Sequence, residues 1–303
     1  MTFDKLLVVI VGPTAVGKTD LCVKVAESFD TEVLYADSRQ FFKELSIGTA
    51  KPTPEEMRDV PHHFVDCLSI EEEYSAGQYE RDVISLLQDD IFKRKEIAIL
   101  SGGSGMYVKA VCEGMDDLPE ADLAIREQVI LDVKEKGLEY LLQELQEKDL
   151  QYYEQVDRAN TQRVMRAIEV IRMTGKPFSS FRTANKKQRP FKILKIGLER
   201  DREELYDRIN RRMDIMLEQG LVEEVASVKQ WKDKNALQTV GYKEIFDHWD
   251  GLYDWEEAIR LLKRNSRRYA KKQLTWFKRD EETKWFHPDQ LEEIIAYIKQ
   301  EKP

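Results

Sequence analysis

Eight residues, Gly12-Pro13-Thr14-Ala15-Val16-Gly17-Lys18-Thr19, have the types and spacing to hold a polyphosphate. They fit the P-loop pattern of a glycine, four residues, then Gly-Lys-Ser/Thr. The backbone N–H groups of such a loop, and of the helix it opens, converge on one point and favour phosphate oxygens. Lys18 adds a mobile cation, and Thr19 offers a hydroxyl to a Mg²⁺ that bridges the phosphates. The elements needed to position the loop flank it. Leu6–Val11 is an unbroken apolar run of strand length, and Asp20-Leu21-Cys22-Val23-Lys24-Val25-Ala26 can begin a helix. Strand, loop and helix in that order separate a phosphate cradle from a chance glycine-rich turn. The motif names a polyphosphate ligand and leaves its fate open.

Short apolar runs at 6–11, 32–36, 97–100 and 192–198 are predicted strands, with helical stretches between them. One such stretch, 78–92, keeps an apolar face at Val83, Ile84, Leu86 and Leu87. The alternation implies an α/β fold, a P-loop NTPase-like core whose parallel sheet is flanked by helices. Ligands of such sheets sit beyond the carboxyl ends of the strands. That places the P-loop, Asp37-Ser38 and Gly102-Gly103-Ser104-Gly105 on one edge. Across 115–190 the strand signal disappears. Stretches 121–136, 138–148 and 161–174 read as helices, and Gly175-Lys176-Pro177 stops the last of them. The expected organisation is a core at 1–114, an all-helical insertion at 115–190, and a second core segment at 191–303. That last segment is mainly helical, through 203–218, 222–232, 255–276 and 289–300.

No apolar run among the 303 residues approaches membrane-spanning length, and the N-terminus leads straight into the first strand. Both argue against an anchor or signal peptide. Cys22, Cys67 and Cys112 are odd in number and scattered, which suits a reducing cytoplasm. No Cys/His cluster has zinc spacing, and His62-His63 read as structural. The net charge of −9 argues against a nucleic-acid partner until its distribution is considered. Residues 158–192 hold ten bases and one acid, Glu169. Residues 260–279 hold nine bases and no acid, with Tyr269, Trp276 and Phe277 among them. Bases interleaved with aromatics suit phosphate contacts and base stacking; a solvated helix face is the plainer alternative.

Seven segments in order resemble the bacterial tRNA dimethylallyltransferases, and the resemblance covers nearly the whole chain. They are Gly12–Thr19, Ala36-Asp37-Ser38-Arg39-Gln40, Ile47-Gly48-Thr49-Ala50-Lys51-Pro52, and Gly102-Gly103-Ser104-Gly105-Met106-Tyr107. Gln162-Arg163-Val164-Met165-Arg166, Val240-Gly241-Tyr242 and Lys271-Lys272-Gln273-Leu274-Thr275-Trp276-Phe277 complete the set. Val16 stands where the family often has Ser, and Ser104 where it often has Thr. The zinc-finger extension of eukaryotic relatives is absent from this sequence.

The resemblance implies transfer of a dimethylallyl group from dimethylallyl diphosphate to RNA. The acceptor would be N6 of the adenine 3′-adjacent to the anticodon, position 37, in tRNAs reading codons that begin with U. The P-loop, Gly12 to Thr19, would then hold the diphosphate leaving group and not ATP, with Mg²⁺ at Thr19. Thr14 would contact the bridging oxygen, and Arg212, four residues beyond Arg208 on one predicted helix, would contact the diphosphate. Asp37 could take the N6 proton, or it could serve as a capping or Mg²⁺-linked carboxylate. The expected tRNA-facing residues are Asp37, Ser38, Arg39, Gln40, Ser104, Arg126, Gln162, Arg163, Val164, Met165, Arg166, Gly241, Tyr242, Lys243 and Lys272. The expected partner is the anticodon stem-loop, and the expected state is a cytoplasmic monomer. A small-molecule kinase using ATP, a free-adenylate prenyltransferase and a non-catalytic nucleotide-gated RNA-binding protein share the P-loop. The kinase leaves both basic blocks unexplained.

Overall fold

Strand β1 (Leu6–Val11) runs through the middle of a six-stranded sheet, and all six of its side chains are buried. A strand covered by helices on both faces has no solvent side, hence its unbroken apolar sequence. The computed structural model describes residues 3–182 and 186–303. After β1 come α1 (Lys18–Phe29), β2 (Val33–Tyr35), the short α2 (Pro54–Met57), β3 (His62–His63) and α3 (Ala76–Leu86). A π-helical turn, Leu87–Ile91, leads through α4 (Phe92–Arg94) to β4 (Ile97–Gly102) and α5 (Gly105–Glu113). Four helices follow: α6 (Leu123–Lys136), α7 (Leu138–Lys148), α8 (Leu150–Gln155) and α9 (Thr161–Thr174). The chain then forms β5 (Lys192–Leu198), α10 (Arg202–Glu218), α11 (Leu221–Ser227), α12 (Lys243–Trp249) and α13 (Trp255–Phe277). It ends with β6 (Lys284–Phe286) and α14 (Leu291–Glu301).

The strand order is β3-β2-β4-β1-β5-β6, and every pairing is parallel. Val11 lies beside Gly102 on one side and Gly197 on the other, so three strands end level. From β1 the chain passes beyond β4 to reach β2. The reversal leaves a crevice at the carboxyl ends of the strands. Alternating residues of β1 feed two cores. Leu6, Val8 and Ile10 pack with Leu21 and Val25 of α1, Leu205 of α10 and Ile294 of α14. Leu7, Val9 and Val11 pack with Tyr79 of α3 and Val108 and Val111 of α5.

Three departures from the sequence-based expectation have local causes. Strands β3 and β6 carry two and three residues, too few for a hydrophobic period to register. The expected helix at 78–92 is interrupted by the π turn, within which Leu87 and Ile91 are fully buried. At 222–232 the helix stops at Ser227, and Lys229–Trp231 is a 3₁₀ turn. The histidines serve structure. His63 Nε2 lies 2.7 Å from Glu32 Oε2, Arg94 also binds Glu32, and the His62 ring stacks on Tyr35.

The described residues up to Glu113 form one compact unit with Gln188–Pro303; Gly114–Lys187 forms a second. The second unit has its own core, built from Val129, Leu141, Leu145, Val164, Ala167, Ile168 and Ile171. Arg172 on α9 ties it together, reaching Asp132 on α6 at 2.7 Å and Glu144 on α7 at 2.5 Å. Gly175 ends α9 in the left-handed conformation, φ 68°, as its helix-stop sequence predicts.

Candidate active site

The P-loop follows β1 directly. Gly17 adopts φ 110°, which an L side chain rarely takes up, and caps α1 in the left-handed conformation. Three arginines from the segment after β5 hold the loop by its oxygens. Arg200 Nε donates to the Val16 carbonyl at 2.8 Å and Arg208 Nε to the Ala15 carbonyl at 2.9 Å. Arg212 Nη1 donates to Thr14 Oγ1 at 3.2 Å. Arg208 and Arg212 share one face of α10, as their spacing predicts. Glu204, on the same helix, pairs with Arg200 and not with Arg212. Lys18 Nζ donates to the carbonyls of Gly12 and Pro13 at 3.0 and 2.8 Å. Withdrawal from water lowers its pKa to about 8; Asp37 opposes the shift and Arg212 adds to it. Arg212 is also pushed down by burial and by Arg208.

Asp37 stands just past β2. Its Oδ1 accepts the Arg39 N–H at 3.1 Å, closing a turn, and Oδ2 has no hydrogen bond among the described residues. The Gly102-Gly103-Ser104-Gly105 turn is drawn against this segment. Ser104 N–H donates to the Ala36 carbonyl at 3.2 Å, and Ser38 N–H donates to Ser104 Oγ at 3.0 Å. A side chain at Gly102 would run into the Ala36 carbonyl, so glycine there permits the approach. Helix α13 closes over the turn. Gln273 Nε2 donates to the Gly103 carbonyl at 3.0 Å, while its Oε1 accepts the Thr14 N–H at 2.9 Å. One buried amide thus spans the P-loop and the glycine turn. Gln273 and Arg208 were not identified as site residues from the sequence. Gln273 lies inside the Lys271–Phe277 segment, the only signal that could have found it.

These elements surround a cavity of about 680 Å³. Thr14, Gly17, Lys18, Thr19, Asp37, Arg39, Arg208 and Arg212 line it, as do Tyr269 and Gln273. The loop at 46–51, Ile209, Met213, Met216, Val240 and Gly241 supply a more apolar wall. The arrangement offers an anion cradle, the Asp37 carboxylate with its unbonded oxygen, and room for an apolar group.

Several expected RNA-facing side chains point elsewhere and are corrected. Val164 and Met165 are buried in the core of the second unit. Their neighbours Gln162 and Arg163 are exposed, because successive helical residues are turned by 100°. Tyr242 is fully buried, its hydroxyl 2.6 Å from Glu224. Gln40 is buried and donates to the Thr49 and Ala50 carbonyls. Arg166 binds Glu169 at 3.0 Å and the Pro119 carbonyl at 2.8 Å, and Arg126 lies 3.4 Å from Glu169. Lys243 pairs with Asp247. The basic block on α13 is partly neutralised, Arg260 by Glu257, Lys263 by Asp214 and Lys278 by Glu199. Arg268, Lys271, Lys272 and Arg279 remain exposed, with Tyr269 and Trp276 between them.

Comparison with known proteins gives consistent matches. The family model described as IPP transferase matches residues 40–280. A tRNA dimethylallyltransferase of Cytophaga hutchinsonii is 57% identical over 97% of each chain. Bacteroides fragilis tRNA dimethylallyltransferase 1 is 52% identical over 97% of each. Among solved structures, the full-length tRNA isopentenylpyrophosphate transferase of Bacillus halodurans is 38% identical, with a TM-score of 0.72 over 99% of this chain and 97% of that one. A eukaryotic dimethylallyltransferase acting on tRNA is 28% identical, with a TM-score of 0.74 over 90% of this chain and 69% of that one.

Proposed function

The chain belongs to the IPP transferase family, and from that premise we propose how its cavity transfers a dimethylallyl group to tRNA. The donor is dimethylallyl diphosphate. The acceptor is N6 of the adenine 3′-adjacent to the anticodon, position 37, in tRNAs reading codons that begin with U. The observation that carries the reading is a P-loop cradle ringed by Lys18, Arg208 and Arg212 that shares one cavity with Asp37.

The C–O bond of the donor breaks, and its electron pair leaves with the diphosphate. The P-loop amides, Lys18 and the Arg212 guanidinium meet that charge as it grows, so their contacts strengthen toward the transition state. Thr14, held by Arg212, serves the bridging oxygen. The N6 lone pair forms the new C–N bond, and the N6 proton passes to Asp37. No group of three or more His, Cys, Asp or Glu able to hold a metal occurs among the described residues. The Thr19 hydroxyl and the Asp37 carboxylate beside a phosphate site suit Mg²⁺, which keeps waters and leans on substrate phosphates. When bound, that ion supplies further charge neutralisation to the departing diphosphate.

Ser38, Arg39, Ser104, Gly241 and Lys272 on the core unit contact the anticodon loop, with Lys243 available once released from Asp247. Gln162 and Arg163 do so on the second unit, with Arg126 and Arg166 available once released from Glu169. Extracting the target base from the loop stack costs roughly a few kcal/mol, which phosphate contacts offset. No helix among the described residues is long and apolar enough to cross a membrane. The reading includes a monomer that works in the cytoplasm. The test is incubation with labelled dimethylallyl diphosphate and unmodified tRNA, followed by nucleoside analysis. Label on N6 of adenine 37 is expected; ATP consumption without prenyl transfer, or equal turnover of free AMP, overturns the reading.

A further inference from the structure

Residues 46–51 line the cavity but belong to no helix or strand. Such a loop holds a defined wall only if its backbone polar groups find partners: Ala50 N–H and Lys51 N–H donate within it, to the Ile47 and Ser46 carbonyls, and the N–H groups of 46–48 need a partner outside it. The partner is Glu224 on α11. Its Oε2 accepts the N–H groups of Ser46 and Ile47 at 2.8 and 2.7 Å, and its Oε1 accepts that of Gly48 at 2.9 Å. The buried Tyr242 hydroxyl donates to Oε1 at 2.6 Å. Three successive amides aimed at one point form an anion nest, and a carboxylate of the protein itself fills it. Hydrogen bonds to an ionised acceptor are about twice as strong as neutral ones. The Tyr242 ring also backs the loop, since a Cβ at Gly48 would sit 2.7 Å from it.

The other side of the loop is held by Gln40, whose amide donates to the carbonyls of Thr49 and Ala50, both at 3.1 Å. Gln40 N–H in turn donates to the Asp37 carbonyl at 3.2 Å. The loop is therefore strung between α11 and the turn that carries Asp37. We infer that Glu224 is a positioning residue for the transfer reaction: it fixes the 46–51 wall, and through that wall and Gln40 the placement of the dimethylallyl carbon and the acceptor against Asp37. It touches neither the phosphate cradle nor Asp37. The phosphate cradle is left intact when it is removed, and the wall bordering the reacting groups loosens. A misplacement of about 1 Å is enough to slow a reaction roughly 100-fold.

This inference rests on the reading of the cavity as a prenyl-transfer site, which wild-type turnover tests separately. Glu224→Gln and Glu224→Ala are compared with wild type for kcat per folded molecule, for KM of dimethylallyl diphosphate and of tRNA, and for amide exchange of segment 46–51. The alanine variant is expected to lose about 100-fold in kcat, and the glutamine variant, which keeps one acceptor oxygen, about tenfold. KM for dimethylallyl diphosphate should stay within threefold of wild type, with faster exchange confined to 46–51. If the alanine variant fails to fold, the glutamine variant carries the test alone. Active wild type with kcat unchanged in the variants, or slowed in step with a general loss of folding, would overturn the role of Glu224 while leaving the proposed function standing.

Discussion

Lys18 should take up a proton when the donor binds. Its ammonium rests against the Gly12 and Pro13 carbonyls, and burial lowers its pKa from 10.5 to about 8. At pH 9, one unit above that value, roughly one free site in ten carries the proton. An anionic diphosphate at the P-loop stabilises the charged form and draws the pKa back up. Binding at pH 9 should then take up about 0.9 proton per site, against about 0.1 at pH 7. Donor affinity should fall about tenfold per pH unit above pH 8. The same shift acts on folding. The unfolded chain keeps a proton that the folded site releases between about 8 and 10.5, so this site favours folding more as pH rises through that window. Isothermal titration of dimethylallyl diphosphate without tRNA, in buffers of different ionisation enthalpy at pH 7 and pH 9, measures the uptake. In Lys18→Arg the side chain cannot titrate, and the uptake should vanish. Buffer-independent heats at pH 9 for the wild type, or uptake that persists in Lys18→Arg, would refute the argument.

Asp37→Ala should lower single-turnover transfer by about 100- to 10,000-fold while tRNA affinity by filter binding stays within threefold; unaltered turnover removes Asp37 as the proton acceptor. Raising salt from about 50 to about 200 mM should weaken tRNA binding roughly a thousandfold if six cations reach phosphates, and a flat profile would count against the exposed arginines and lysines of α9 and α13. Arg172→Met takes the shared partner from Asp132 and Glu144, which keep Lys136 and Lys148, and should cost the second unit about 2 kcal/mol. All five tryptophans lie outside 114–187, so fluorescence-detected unfolding should hardly move while amide exchange across α6, α7 and α9 accelerates; the opposite pattern would deny Arg172 this role.

What could be read from the sequence was whatever is local along the chain. The P-loop declares itself because its amides, Lys18 and Thr19 occupy one short stretch between a strand and a helix. The fully apolar β1 and three of the four helices of 115–190 follow from local pattern, while the six-residue α8 is too short to show one. Gln273 could not be found this way: it meets Thr14 across 259 residues of sequence. Glu224 likewise holds Ser46 from 178 residues away, and although Ser46 precedes the 47–52 segment, nothing around Glu224 marks it. Val164 and Met165 show the converse error. A contiguous motif was taken as a contiguous surface, yet a helix turns adjacent residues to different faces, and these two fill the core.

A P-loop can serve phosphoryl or alkyl transfer because it stabilises the same thing in both, charge on phosphate oxygens. The bond that breaks is decided by what stands next to the cradle. In a kinase the acceptor must lie in line with a terminal phosphorus. In this cavity the polar cradle gives way to Ile47, Met213, Met216 and Val240, side chains that can border a short hydrocarbon and give no hold to a further phosphate. Asp37, with one oxygen committed to its turn and the other uncommitted, stands where those regions share the cavity. Arg212 and Gln273 keep Thr14 in place from two sides, one through its hydroxyl and one through its amide. The residue proposed to meet the bridging oxygen is thus held at both its hydroxyl and its amide, where charge appears when carbon leaves.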